Sequence, residues 1–236
     1  MTLPENIHKL PRLFTEQTLS EHKDIIFSSS QLHYLKNVLR QNEGNFLRFF
    51  NGRDGEFLAA ITMLSKKDGQ AKLAQCIKPQ PAIGPARALY FAPIKKNRMD
   101  FLIEKAVELG VTSLHPVLTA RTETRKINEE RLQAQIIEAA EQCERLTVPA
   151  LAPLTKLENV IGKKTPLYAC IERAEGMSLR SLGPAKDAAF LIGPEGGFTP
   201  DEIEMLVKAP PVTALSLGEN ILRAETAAIK CLAGCL

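Results

Sequence analysis

The chain has 236 residues, with 30 Lys and Arg against 27 Asp and Glu, a net charge of +3, and no tryptophan. That length suits a small domain followed by a medium one, while no apolar run approaches the ~20 residues that cross a bilayer and no signal peptide is expected. Five scattered cysteines, Cys76, Cys143, Cys170, Cys231 and Cys235, read as reduced core residues rather than a disulfide framework, so a cytoplasmic protein with no membrane partner is expected.

The charge excess sits in the first eighty residues, eleven cations against eight anions, and short alternating apolar runs there predict strands at 24–27, 45–50, 56–62 and 71–77. The turn Asn51-Gly-Arg-Asp-Gly55 is rich in residues that tolerate positive φ. After Ser28-Ser-Ser30 the spacing of Leu32, Leu35, Val38 and Leu39 predicts one helix, with His33, Lys36 and Arg40 on its other face. These elements describe a small β-barrel over residues 1–78. The Pro- and Gly-rich stretch from Lys78 to Pro85 reads as a linker.

From residue 79 to 236 strands and helices alternate. A strand at 88–92 leads to a helix from about Asn97 with Met99, Leu102, Ile103, Ala106 and Val107 inward and Gly110 as its stop. A strand at 111–117 is followed by the loop 118–122, and a helix over 128–145 turns Leu132, Ile136, Ala139, Ala140 and Cys143 inward. Strands at 166–171, 188–192 and 213–217 and a helix over 223–235 complete the chain. Near-continuous apolar strands separated by helices predict an α/β fold, a parallel sheet with helices on both faces. Ligand sites in such sheets gather at the carboxyl ends of the strands.

Two segments carry the functional signal: Leu191-Ile-Gly-Pro-Glu-Gly-Gly-Phe-Thr-Pro200 and Leu215-Ser-Leu-Gly-Glu-Asn-Ile-Leu-Arg-Ala-Glu-Thr-Ala227. Each reads as a buried strand that ends in a glycine-bearing loop and enters a helix, the first through a Thr199 cap, Pro200 and Glu202. Such loops bring main chain close to a flat ligand, although a tight strand-to-helix turn with no ligand would look the same. There is no GxxxxGK[ST] and no GxGxxG after the first strand, so an adenosine-type ligand held without a pyrophosphate remains. Cys231 and Cys235 stand four apart with no CxxC or nearby histidine, and no metal is expected.

On these residues the chain resembles the bacterial 16S ribosomal RNA (uracil-N3)-methyltransferase family, ribosomal small subunit methyltransferase E, of the SPOUT class. The resemblance runs through Pro11 to Phe14, His33 to Arg40, Lys95-Lys96 with Glu104 to Gly110, Glu138 to Arg145, Gly193 to Phe198 and Leu222 to Ala227. It implies a PUA-like N-terminal barrel, a C-terminal trefoil knot, S-adenosylmethionine as methyl donor and a homodimer. It also implies a cofactor pocket at Ile171, Ile192, Gly193, Gly196, Gly197, Leu217, Gly218, Ile221 and Leu222. The substrate would be N3 of a uridine in 16S ribosomal RNA of the small ribosomal subunit. Methylation there requires that the N3 proton leave or its anion be stabilised, so Arg223 is the expected stabiliser and Glu195 or Glu225 its orienting partner or the base. Arg12, Lys36, Arg40, Lys95, Lys96, Arg98 and Arg121 are the expected phosphate contacts. The helices 128–145 and 223–235 are candidate dimer surfaces, although their apolar faces serve equally as core of one chain. Two other readings stay open: a ribose 2′-O-methyltransferase of the same fold, and a non-catalytic RNA-binding assembly factor.

Overall fold

Residues 1–82 group with 140–148 into one unit and residues 83–139 with 149–236 into another; the computed structural model describes residues 4–161, 166–172, 176–182, 187–210 and 212–234. In the first unit, β1 (Arg12–Phe14), β2 (Asp24–Ile26), β3 (Phe46–Phe50), β4 (Glu56–Leu64) and β5 (Gly69–Lys78) form a sheet in the order β1-β3-β4-β5-β2. β3, β4 and β5 are an antiparallel meander, and β2 pairs antiparallel with β5. β1, which alternation did not predict because it is only three residues long, runs parallel to β3 with Arg12 opposite Arg48.

The strand period of two divides β3 between two environments. Leu47 and Phe49 join Leu13, Ile25, Phe27, Leu35, Phe57, Ile61 and Leu73 in the apolar core. Gly69 is required beside that core, because a Cβ there would lie 2.6 Å from Leu32 and 2.7 Å from Phe27 side-chain carbons. α1 (Ser29–His33) opens with a capping box in which the Ser28 hydroxyl accepts from the Gln31 amide and the Gln31 carboxamide accepts from the Ser28 amide. It then widens into a π turn, Tyr34–Val38, closed by the Leu39 amide donating to Tyr34. The predicted continuous helix is therefore corrected. The extra residue of the wide turn shifts the phase, and Val38 faces solvent instead of extending the apolar stripe.

The other side of β3 carries charge. Glu56, only 3% exposed, receives Arg48 Nη1 at 3.1 Å and lies 3.2 Å from Arg12 Nε. Arg12 also donates to the carbonyls of Ala140 and Arg145, each at 2.8 Å, and stacks over the Phe50 ring with its guanidinium carbon 3.7 Å from the centroid. Arg48 Nη2 donates to Glu144 at 2.8 Å and holds that carboxyl below the usual carboxylate range. Glu141 accepts from the Phe14 amide. These contacts explain why residues 140–148 belong with the N-terminal strands. They also correct the expected role of Arg12, which is buried and turns its Nη1 and Nη2 to protein carbonyls; burial pulls its guanidinium below its ordinary value while Glu56 opposes that shift.

In the second unit β6 (Arg87–Phe91), α2 (Lys96–Glu108), β7 (Ser113–Leu118), α3 (Glu129–Gln142), β8 (Ala150–Leu151), β9 (Thr155–Lys156), β10 (Leu167–Cys170), β11 (Met177–Ser178), β12 (Ala188–Ile192), α4 (Pro200–Lys208), β13 (Val212–Ser216) and α5 (Ala224–Ala233) follow in order. The sheet runs β11-β13-β10-β12-β6-β7-β8, with β9 on β7, and every pairing is parallel. Helices cover both faces, as the apolar runs imply. Along β12, Ala189 and Leu191 pack with Ala169, Ile171, Phe198 and Leu206, while Ala188, Phe190 and Ile192 are equally buried on the opposite side. α5 packs on α2 and β12, and α4 on β13. α2 is closed two residues beyond its last turn by Gly110, whose φ is +80°.

Glu56→Gln leaves the buried Arg12 guanidinium without its counter-charge and Arg48 with Glu144 alone, and is expected to destabilise the protein by about 3–5 kcal/mol. Urea denaturation checks this through a lower midpoint at unchanged slope; a loss below about 1 kcal/mol would show the cluster to be a solvent-relaxed surface pair.

Candidate active site

Three neighbouring strands end at the same height. β10 lies between β13 and β12, and Cys170 is level with both Ile192 and Leu215. β6 borders β12 with Phe91 level with Ile192, so the segment leading into α2 leaves from the same edge. The sequence-predicted pocket residues Ile171, Ile192, Gly193, Gly196, Gly197, Leu217, Gly218, Ile221 and Leu222 therefore all leave the sheet at one edge. The loop after Ile171 continues into residues 173–175, which lie outside the described residues.

The first glycine loop is held from below and from the side. A Cβ on Gly193 would lie 3.0 Å from the buried Phe198 ring, so any side chain there would require that ring to shift. Gly197 takes φ +67° and its amide donates to the Pro194 carbonyl at 2.9 Å. Thr199 then caps α4, and the Glu202 carboxylate accepts from the Thr199 amide at 2.9 Å and from the Ala120 amide at 2.7 Å. Arg121 Nη1 donates to the Gly196 carbonyl at 2.8 Å. Arg121 was expected to meet phosphate; that nitrogen instead braces the loop. The second loop turns at Gly218, φ +105°, and Lys230 on α5 donates to the Leu217 carbonyl at 2.6 Å.

The charged residues of the site arrange differently from expectation. Arg98 Nη1 lies 3.5 Å from Glu195 Oε1, and Arg98 Nε lies 3.8 Å from Glu225 Oε1. Arg98, expected only as a phosphate contact, is thus the cation between the two carboxylates. Arg223, expected to sit there, is instead the exposed residue preceding α5. The reason is geometric: the three loops after β6, β12 and β13 converge, and the first turn of α2 reaches the other two. Glu225 is 8% exposed and its Oε2 has no hydrogen-bond partner among the described residues. Among the other expected RNA contacts, Lys95 and Lys96 are exposed at the start of α2, Arg40 is exposed and Lys36 half-buried in the first unit.

Sequence reasoning missed Glu202 as a loop anchor, Lys230 as a brace and Arg98 as an ion-pair centre. A signal for the last was present. α2 begins Lys95-Lys-Asn-Arg98 with no acidic residue in its first turn, where the helix dipole favours anions. Cys231 lies with its sulfur 3.4 Å from that of Cys170; Cys235 is outside the described residues, and Cys76 is exposed rather than core. The apolar residues of α3 and α5, including Leu132, Ile136, Ala228 and Leu232, are buried within the single chain, so these faces are core.

Residues 85–235 match the RNA methyltransferase domain model and residues 27–74 the RNA methyltransferase PUA domain model. The ribosomal RNA small subunit methyltransferase E of Rickettsia conorii is 37% identical over 231 residues, 95% of this chain and 94% of that one. The protein of the same name from Synechocystis is 33% identical over 86% of this chain and 69% of its own. Among solved structures, the ribosomal RNA small subunit methyltransferase E of Neisseria gonorrhoeae, bound to S-adenosyl methionine, superposes with a TM-score of 0.83 at 28% identity, covering 95% of each chain. A structure from Legionella pneumophila, solved with bound SAM, gives a TM-score of 0.86 at 30% identity over 95% of this chain and 96% of that one. A glycine-lined edge of this kind, in a chain whose two parts match both domain models in order, has one consistent placement: the chain belongs to the ribosomal RNA small subunit methyltransferase E family.

Proposed function

We propose that the protein transfers a methyl group from S-adenosylmethionine to N3 of a uridine in 16S ribosomal RNA of the small ribosomal subunit. The observation that carries this reading is the level edge of β13, β10 and β12, whose glycine loops present main chain beside a buried carboxylate with an unpaired oxygen. The residues fit the cofactor. A Cβ on Gly197 would meet nothing within 4 Å, so that turn faces open space, and the glycines at 197 and 218 hold φ values that other residues avoid.

When bound, S-adenosylmethionine supplies an electrophilic methyl group on a sulfonium sulfur. Ile192 to Gly197 and Leu217 to Leu222, with Ile171, hold and orient the nucleoside through main-chain groups and apolar contact. Glu225 Oε2 is the base for the uracil N3 proton, since its other oxygen faces Arg98 and this one has no donor among the described residues. Arg223, exposed where α5 begins, lowers the energy of the resulting uracil anion. Alignment of N3 with the methyl carbon supplies a further large share of the rate. Lys36, Arg40, Lys95 and Lys96 contact RNA phosphates, the first unit serving as the PUA-like RNA-binding part, and the target base leaves its stack.

The trefoil knot that the family implies is part of this reading. Its support is the strand order: β13 lies beyond β10, so the chain that leaves β12 through α4 returns on the far side of β10. The working form is a cytoplasmic homodimer. Because the apolar faces of α3 and α5 are used within the chain, its interface draws on exposed apolar residues such as Phe101 and Ile221.

Incubation with labelled S-adenosylmethionine and small subunits that lack the modification is expected to yield 3-methyluridine in nucleoside mass spectrometry. A ribose-methylated product would favour the 2′-O reading, and no calorimetric heat with the cofactor would favour an assembly factor. Gly218→Ala forces a side chain onto φ +105°, at about 1–3 kcal/mol; calorimetry is expected to read weaker cofactor binding by tenfold or so. Glu225→Gln removes the base and is expected to lower turnover about 10²- to 10⁴-fold at unchanged cofactor affinity; loss of affinity in parallel would assign Glu225 a structural role.

A further inference from the structure

Resting on that reading, we infer that Arg98 is a positioning residue for proton removal, acting through Glu225 and Glu195 rather than on RNA phosphate. The inference starts from a local rule that α2 breaks. Its first turn carries Lys95, Lys96 and Arg98, with no acidic residue and no side-chain cap, against the preference of a helix N-terminus for anions. Lys95 and Lys96 turn to solvent, but Arg98 is half-buried and lies between the two carboxylates.

The two contacts are ion pairs longer than ordinary hydrogen bonds, 3.5 Å to Glu195 and 3.8 Å to Glu225, and both use the Oε1 atom. This geometry has two consequences. The guanidinium sets a positive charge beside a carboxylate that is nine-tenths buried and offsets part of the cost of burying its charge. It also fixes the rotation of that carboxylate, since Oε1 faces the arginine, while the buried Oε2 has no hydrogen-bond partner among the described residues. Glu195 belongs to the glycine loop, so the same arginine ties the base on α5 to the loop that carries the nucleoside. One cation thereby sets the position of the base relative to the cofactor.

The proton balance is simple. Uracil N3–H gives its proton to Glu225 Oε2, the N3 lone pair forms the new bond to the methyl carbon, and the sulfonium sulfur takes the electrons of the broken S–C bond. Arg98 keeps its proton throughout.

The test uses the full-length protein and modification-free small subunits, with kcat, KM for subunits, cofactor Kd and thermal stability measured for each variant. Arg98→Gln is expected to lower kcat about tenfold or more, with KM and cofactor Kd within about twofold. Arg98→Lys keeps the charge but offers one nitrogen in place of the two that face Glu195 and Glu225, and is expected to recover only part of that kcat. Arg98→Gln combined with Glu225→Gln is expected to be no slower than Glu225→Gln alone, because the arginine has nothing left to position. A raised KM with kcat retained would overturn the inference in favour of a phosphate contact. Additive losses in the double variant would overturn it as well. The wild-type rate on the same subunits tests the underlying methylation reading separately.

Discussion

Parallel register at one edge of a sheet is the constraint on which the site depends. Because β13, β10 and β12 are hydrogen-bonded side by side with Cys170 opposite both Ile192 and Leu215, their outgoing chains must begin at one height. A one-residue slip in any of them would reverse which side chains face each layer, and both layers are packed. The apolar core thus holds the edge level, and the edge gathers loops that are far apart in sequence. Glycine then decides what those loops present: main chain, at Gly197 and Gly218, where positive φ excludes most other residues.

The two charge clusters illustrate different uses of the same chemistry. Around Glu56, two arginines, backbone carbonyls and an aromatic ring surround the carboxylate with close partners in a buried setting, and residues 140–148 are held as a result. Around Glu225 the arrangement among the described residues is incomplete: a half-exposed arginine at 3.8 Å and an oxygen without a donor. A buried acceptor with no partner is costly, so it persists where a ligand completes it or where reaction requires it open. This contrast is why one cluster is read as structure and the other as function. Arginine suits both roles, because its planar fork can face two acceptors while staying charged.

Much of the fold was legible because it rests on local pattern. The strand 188–192 and the Thr199-Pro200 helix start follow from apolar runs and capping chemistry that need no distant partner. Gly110 as a helix stop is of the same kind. The family resemblance likewise rode on contiguous residues, Gly193 to Phe198 and Leu222 to Ala227, and the comparisons bear it out. Less was legible where periodicity is short or broken. β1 is three residues long, and the π turn after α1 displaces Val38 by one phase step.

By itself, then, the amino-acid order determined the alternation of elements, the glycine positions and the family, since each is a property of neighbours along the chain. Only the tertiary structure decided which charges meet. Arg12 reads as a surface cation until the segment at 140–148 and Glu56 enclose it, and Arg98 reads as one of several lysines and arginines until the loops bearing Glu195 and Glu225 arrive beside it. An ion pair depends on distance in space and on burial, and neither quantity is a function of separation in sequence.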